Sequence, residues 1–251
     1  MADFLSVLVP EVLGPSVTLA LLGSSFVASF ITITFGIGGG ALLLAIMASL
    51  MPPAALIPVH GIVQLGSNTG RAALLARHVH RPVLLWFGLG AVIGTAIGGM
   101  ITVNIPPALV QAGVGVFIIW TVLAKPPQWM RKWPALTGAL TSILTMLFGA
   151  TGPFVAAFTR TLTLGRMGYG ATHAALMVLQ HALKIVAFGF LGFAFGPWIG
   201  FCAAMIAAGF AGTWIGRQVL HKLSDLHFDF FLKALLVVIS LRLIWTGLSA
   251  L

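Results

Sequence analysis

A chain of 251 residues in which 59% are hydrophobic and 7% charged is not a soluble domain of ordinary make-up, because such domains carry about 25% charged residues. Thirteen Lys and Arg face four Asp and Glu, for a net charge of +9 and a pI near 11.3. In a soluble protein that balance would suggest nucleic acid; at a mean hydropathy of +1.10 it points instead to a lipid bilayer, with cytoplasmic loops held inside by basic residues.

The first residues carry only Asp3 and Glu11 as charges, with no basic stretch, so no cleaved signal peptide is expected. Eight apolar stretches follow, at about residues 16–50, 54–76, 82–103, 106–124, 134–163, 168–192, 197–220 and 228–250. Six have the length of ordinary membrane spans, about 20 residues. The first and fifth do not. Residues 16–50 are too long for one crossing and are interrupted at Gly36-Ile37-Gly38-Gly39-Gly40. Residues 134–163 are interrupted at Gly149-Ala150-Thr151-Gly152-Pro153. Their 30 residues would make about 45 Å of helix against about 30 Å of hydrocarbon, too little for two full spans and suited to a hairpin that enters and leaves on one side. The lone Cys202 lies in an apolar run and excludes an intrachain disulfide.

The two halves repeat one another. Phe35-Gly36-x-x-Gly39 recurs as Phe148-Gly149-x-x-Gly152, Gly94-Thr95-Ala96-Ile97-Gly98 as Gly212-Thr213-Trp214-Ile215-Gly216, and Ile119-Trp120-Thr121 as Ile244-Trp245-Thr246. Gln64 and Asn68 align with Gln180 and Lys184, and the offsets rise in order from 113 to 125. Charge then selects a topology. With both interrupted segments as hairpins, Arg71, Arg77, Arg81, Lys125, Arg131, Lys132, Arg160, Arg166, Arg217, Lys222 and Lys233 all fall on one side. With both as full spans, the same eleven split six against five. The positive-inside rule prefers the first arrangement. The expected fold is therefore an all-α polytopic membrane protein of two inverted repeats. Each repeat is a broken, re-entrant helical hairpin plus three transmembrane helices. Residues 1–124 and 134–251 are the two transmembrane repeats, 125–133 is a cytoplasmic basic linker, and both termini are extracytoplasmic.

The two breaks are the first candidate site. A half-helix that starts at a break presents unpaired N–H groups and a positive dipole end, which suits an anion. Gly38, Gly39 and Gly40 form one such tip, and Thr151 and Gly152 the other. Small residues can also serve close helix packing, and that alternative stays open. Polar stripes come next. His60, Gln64 and Asn68 stand at i, i+4 and i+8, with Arg71 on the following turn. Thr172 or His173, Gln180 and Lys184 form the counterpart, with His181 beside it. Lys184 lies about 12 Å of helix from its span's extracytoplasmic end, and an intramembrane charge costs at least about 2.5 kcal/mol. Arg242 sits in the last span, where Trp245 could shelter it. No Asp or Glu lies in the interior of a span, Asp229 standing at the very start of the last, which excludes a carboxylate-based cation or proton path deep in the membrane. A proton, if one moves, would need His60, His173 or His181. The polar stripes can equally be hydrogen-bonding glue between helices. No nucleotide-binding loop, hydrolase motif or metal-ligand spacing is present, so neither an enzyme, a cofactor nor a metal site is expected.

Phe35-Gly36-Ile37-Gly38-Gly39-Gly40, then Met51-Pro52-Pro53, then a polar-lined span ending in Arg71, Arg77, His78 and Arg81 resembles the sulfite exporter TauE/SafE family. The resemblance covers essentially the whole chain. It implies a bacterial inner-membrane permease for sulfur-containing anions such as sulfite or sulfonates, usually working outward. The family pattern falls on Gly36, Gly38, Gly39 and Gly40, and on Gly149 and Gly152. This chain departs from it with Gly-Ala-Thr-Gly-Pro at the second motif and Val59-His60 where a Thr-Ser pair is common. The expectation is a secondary transporter that exports a small sulfur-containing anion bound between the two breaks. Its substrate-binding residues would be Gly38, Gly39, Gly40, Gln64, Asn68, Thr151, Gly152, Gln180, Lys184 and Arg242. A permease or importer for carboxylates or other anions, a passive anion channel, and an assembly subunit are the alternatives. A homo-oligomer is compatible with each.

Overall fold

The computed structural model describes residues 8–35, 38–102, 104–123, 130, 132–149, 151–219 and 226–251. Gly36, Ile37, Ala150, Lys125, Arg131 and Lys222 lie outside the described residues, as does most of the basic linker. Among the described residues every regular element is a helix, and there are ten α-helices. They are α1 (Gly14–Phe35), α2 (Gly39–Leu50), α3 (Pro53–Leu74), α4 (Arg81–Thr102), α5 (Pro107–Leu123), α6 (Pro134–Phe148), α7 (Gly152–Arg160), α8 (Arg166–Phe190), α9 (Ile199–Val219) and α10 (Leu226–Leu248). Four stretches are long and apolar enough to cross a membrane: Gly14–Ile33, Arg81–Thr102, Met167–Phe190 and Gly196–Gln218. Helix α3 is as long as α4, at 22 residues, but its polar stripe makes it less apolar. Large apolar side chains such as Trp86, Ile93, Trp214 and Trp245 point outward, as lipid-facing surfaces require.

Both interrupted stretches break where glycine is needed. Gly38 has φ 103° and Gly149 φ 90°, a region that side chains with a Cβ rarely enter. The two interrupted segments differ in their first arms. Helix α1, at 22 residues, is about 33 Å long and could cross the hydrocarbon alone. Helix α6, at 15 residues, is about 22 Å long. The second arms are short, 12 residues in α2 and nine in α7.

Each first arm packs on a helix of the other half, α1 on α9 and α6 on α4. The glycine motif shared by α4 and α9 explains why. A Cβ on Gly94 would overlap the Ala139 carbonyl of α6, and a Cβ on Gly212 would overlap the Phe26 carbonyl of α1. These are backbone-to-backbone contacts that only small residues permit. Gly212→Val is expected to destabilise the protein by about 1–3 kcal/mol, the usual cost of overpacking. A melting temperature in detergent equal to that of the unsubstituted protein would show that this contact is not tight.

The same contacts give helix directions. Gly66 and Gly70 of α3 meet Ile206 and Phe210 of α9, so those helices run parallel. Gly61 meets Lys184 and Gly170 meets Leu75, so α3 and α8 run antiparallel. Gly90, Gly94 and Gly98 of α4 meet Ala135, Ala139 and Met146 of α6 in parallel, while Gly115 and Gly247 bring α5 and α10 together antiparallel. At one end of the bundle, the His80 N–H donates to Thr172 Oγ1 at 2.9 Å. That contact draws the arginine-bearing turn after α3 onto the start of α8.

Candidate functional site

Helix α3 presents its polar residues one turn apart, and hydrogen bonds fix them in order. Asn68 Nδ2 donates to the Gln64 carbonyl at 2.7 Å, and Arg71 Nη2 donates to Asn68 Oδ1 at 3.0 Å. His60 Nε2 lies 3.3 Å from the Gly40 carbonyl oxygen, on the first turn of α2. On α8, His173 Nε2 lies 3.3 Å from the Gly152 carbonyl oxygen, on the first turn of α7. One histidine thus touches the start of each returning half-helix. The second stripe runs through His173, because the Thr172 hydroxyl is occupied by the His80 N–H.

A cavity of about 70 Å³ lies among these groups, several times the room one water needs. Gly38, Gly39 and Gly40 line it from the first break, and Gly152 and Pro153 from the second. Gln64, Asn68 and Arg71 line it from α3, together with His60, and His173 and His181 line it from α8. Among the described residues that line it, Arg71 is the one fixed cation, and none is acidic. Ser29 and Thr32 of α1 and Ser67 of α3 add hydroxyl groups. His181 is 1% exposed, and neither of its ring nitrogens has a hydrogen-bond partner. Its ring stands edge-on to that of His60, with centroids 6.2 Å apart.

Three of the expected substrate residues sit beside this cavity without lining it. Thr151 Oγ1 donates to Gln180 Oε1 at 3.2 Å, and Gln180 Nε2 donates to Thr141 Oγ1 at 2.7 Å and Ser142 Oγ at 3.0 Å. Lys184, fully buried, donates from Nζ to the Gly149 carbonyl at 3.2 Å, the same oxygen that the Thr145 hydroxyl reaches at 2.9 Å. These side chains hold the second break in shape. Arg242 is farther off: both it and Trp245 are exposed on α10, and Arg242 does not line the cavity. Arg71 is the residue that sequence reasoning left out. The sequence places it on the turn after the polar stripe and also among the loop charges, but not among the substrate residues, although at three residues past Asn68 it shares that residue's helix face.

A family model for the sulfite exporter TauE/SafE matches residues 21–243. The chain belongs to this family. No curated protein and no solved structure matches the chain. TauE/SafE membership and the apolar helices together make it a membrane-embedded protein of a transporter family for sulfite or related anions. The matched stretch contains every residue that lines the cavity.

Proposed function

We propose that this TauE/SafE protein is a secondary transporter of the bacterial inner membrane that exports a small sulfur-containing anion, sulfite or an organosulfonate. The observation that carries the reading is the meeting of both glycine breaks and Arg71 around one cavity with no acidic residue among the described residues that line it. A guanidinium offers paired donors to two oxygens of a sulfonate, and helix starts add N–H groups and a favourable dipole. Gln64 and Asn68 orient the anion, with Gly38, Gly39, Gly40 and Gly152 allowing its close approach. Thr151, Gln180 and Lys184 act one layer back, by keeping the second break in place.

Helix directions support an inverted duplication. Exchanging α1–α5 with α6–α10 maps the most extensive packing pairs onto one another, α1 with α9 onto α6 with α4, and α3 with α8 and α5 with α10 each onto itself. Corresponding helices α3 and α8 run in opposite directions, as two oppositely inserted repeats require. The matching contacts of His60 and His173 favour an offset of 113 for the polar stripes, which sets Arg71 rather than Asn68 opposite Lys184.

The test is counterflow in proteoliposomes. Preloaded isethionate or sulfite is expected to accelerate uptake of the labelled anion, since only a carrier shows trans-stimulation; flux indifferent to preloading would make the protein a channel. Orientation is read in the same vesicles from single cysteines at the exposed positions Ala76 and Ser249. They should label from opposite faces, and labelling from one face would end the inverted-repeat reading.

A further inference from the structure

Three imidazole nitrogens near the cavity are buried with no hydrogen-bond partner: Nδ1 and Nε2 of His181 and Nδ1 of His60. A buried polar group left unsatisfied costs about 1–3 kcal/mol, and such groups call for a reason. His60 at least reaches the Gly40 carbonyl through Nε2. His181 reaches nothing, yet it lines the cavity. The charged and titratable groups that act on it are His60 and Arg71 of α3 and His173 and Lys184 of its own helix. Among the other elements packed on α8, α6 holds no titratable residue, α4 and α7 hold Arg81 and Arg160 at their ends, and the turn Ala76–His78 holds Arg77 and His78. An imidazolium at His181 therefore meets only cations and neutral rings while the cavity is empty. A bound anion supplies the missing counter-charge.

We infer that His181 takes up one proton when the anion binds, so that proton and anion occupy the site together; this rests on the anion-site reading above. The reaction balances as one proton from solution onto a His181 ring nitrogen and one anion into the cavity, with no net charge added for a monoanion. His60, edge-on to His181 and with its own free Nδ1, is the neighbouring ring through which the proton can arrive. Opposite charges that bind together recruit each other, and the coupling is reciprocal. A carrier loaded in this way moves a monoanion electroneutrally, insensitive to the membrane potential, and it exports only while the outward anion gradient exceeds the inward proton gradient.

Isethionate is the probe, because its sulfonate stays ionised and cannot itself release or take up the proton. Binding to the purified protein in weakly buffered solution is expected to consume about one proton per anion. Affinity should fall about tenfold per pH unit once the site has lost its proton. In His181→Gln, binding should be weaker than that of the unsubstituted protein at low pH, with the proton uptake gone and the affinity insensitive to pH. Isethionate binding without proton uptake by the unsubstituted protein would overturn the inference and leave the anion site standing. So would uptake that survives in His181→Gln and vanishes in His60→Gln. If neither isethionate nor methanesulfonate binds at all, the anion-site reading fails and this inference with it. Should His181→Gln not fold, the pH dependence of the unsubstituted protein decides alone: a flat profile refutes the coupling.

Discussion

Arg71→Ala is expected to weaken isethionate binding by roughly thirtyfold to a thousandfold, the effect of about 2–4 kcal/mol lost when one partner of a desolvated charged pair is truncated. The size follows from the setting. Arg71 is the fixed cation among the described residues that line the cavity, and Asn68 holds its guanidinium in place. No acidic residue among the described lining residues shares its charge, so the whole of it is available to the anion. Arg71→Lys should recover only part of the affinity, because an ammonium keeps the charge but loses the planar fork. Titration calorimetry checks both variants, with the ligand-free melting temperature as the control. That temperature should barely change, since the side-chain hydrogen bond lost is the one to Asn68. Full affinity in Arg71→Ala would exclude the residue from the site.

Lys184→Met should act differently, slowing transport while leaving the fold at least as stable. The side chain is fully buried and among the largest such in the molecule, so alanine would leave a void, whereas methionine nearly fills the space. Burying an ammonium is itself costly, and an apolar replacement of similar volume is often neutral or stabilising. What is lost is the hydrogen bond to the Gly149 carbonyl, at the break where φ is 90°. A hydrogen bond from a charged donor contributes about 1.5–3 kcal/mol, so transport should fall by about tenfold to a hundredfold. Counterflow rates read the first effect and thermal unfolding in detergent the second. Normal counterflow in Lys184→Met would show that the second break keeps its shape without this anchor. Stability lost together with transport would mark Lys184 as an ordinary packing residue.

Helix number and the positions of both breaks were legible because they follow from local chemistry. Glycine at 38 and 149 supplies backbone angles that other residues rarely adopt, and proline marks the helix starts at Pro53, Pro107 and Pro134. The four-residue spacing of His60, Gln64 and Asn68 likewise placed them on one face, and all three line the cavity. Partner choice was not legible. That Lys184 lies deep in the membrane could be read from hydropathy, but its acceptor is a carbonyl 35 residues away, across a break. Gln180 is bound to Thr141, Ser142 and Thr151, contacts that depend on how α6 meets α8. Arg242 shows the opposite error: depth along a span says nothing about which way the helix face turns. For Arg71 the signal was present, since three residues past Asn68 is the same face, but a basic residue near a helix end was assigned to topology.

The packing of each first arm on the opposite half has a consequence for how the chain is made. Helix α6 meets α4, which has already left the ribosome when α6 appears. Helix α1 has no such partner waiting. Its Ser25 hydroxyl donates to the Met205 carbonyl, 180 residues further along. At about 5–20 residues per second, synthesis takes roughly 10–40 s to cover that distance. Through that interval the surface around Phe26 that will receive Gly212 stays uncovered in the bilayer. The first broken segment is thus translated first and packed last, when α9 has been inserted, although every residue that lines the cavity has been made by the end of α8.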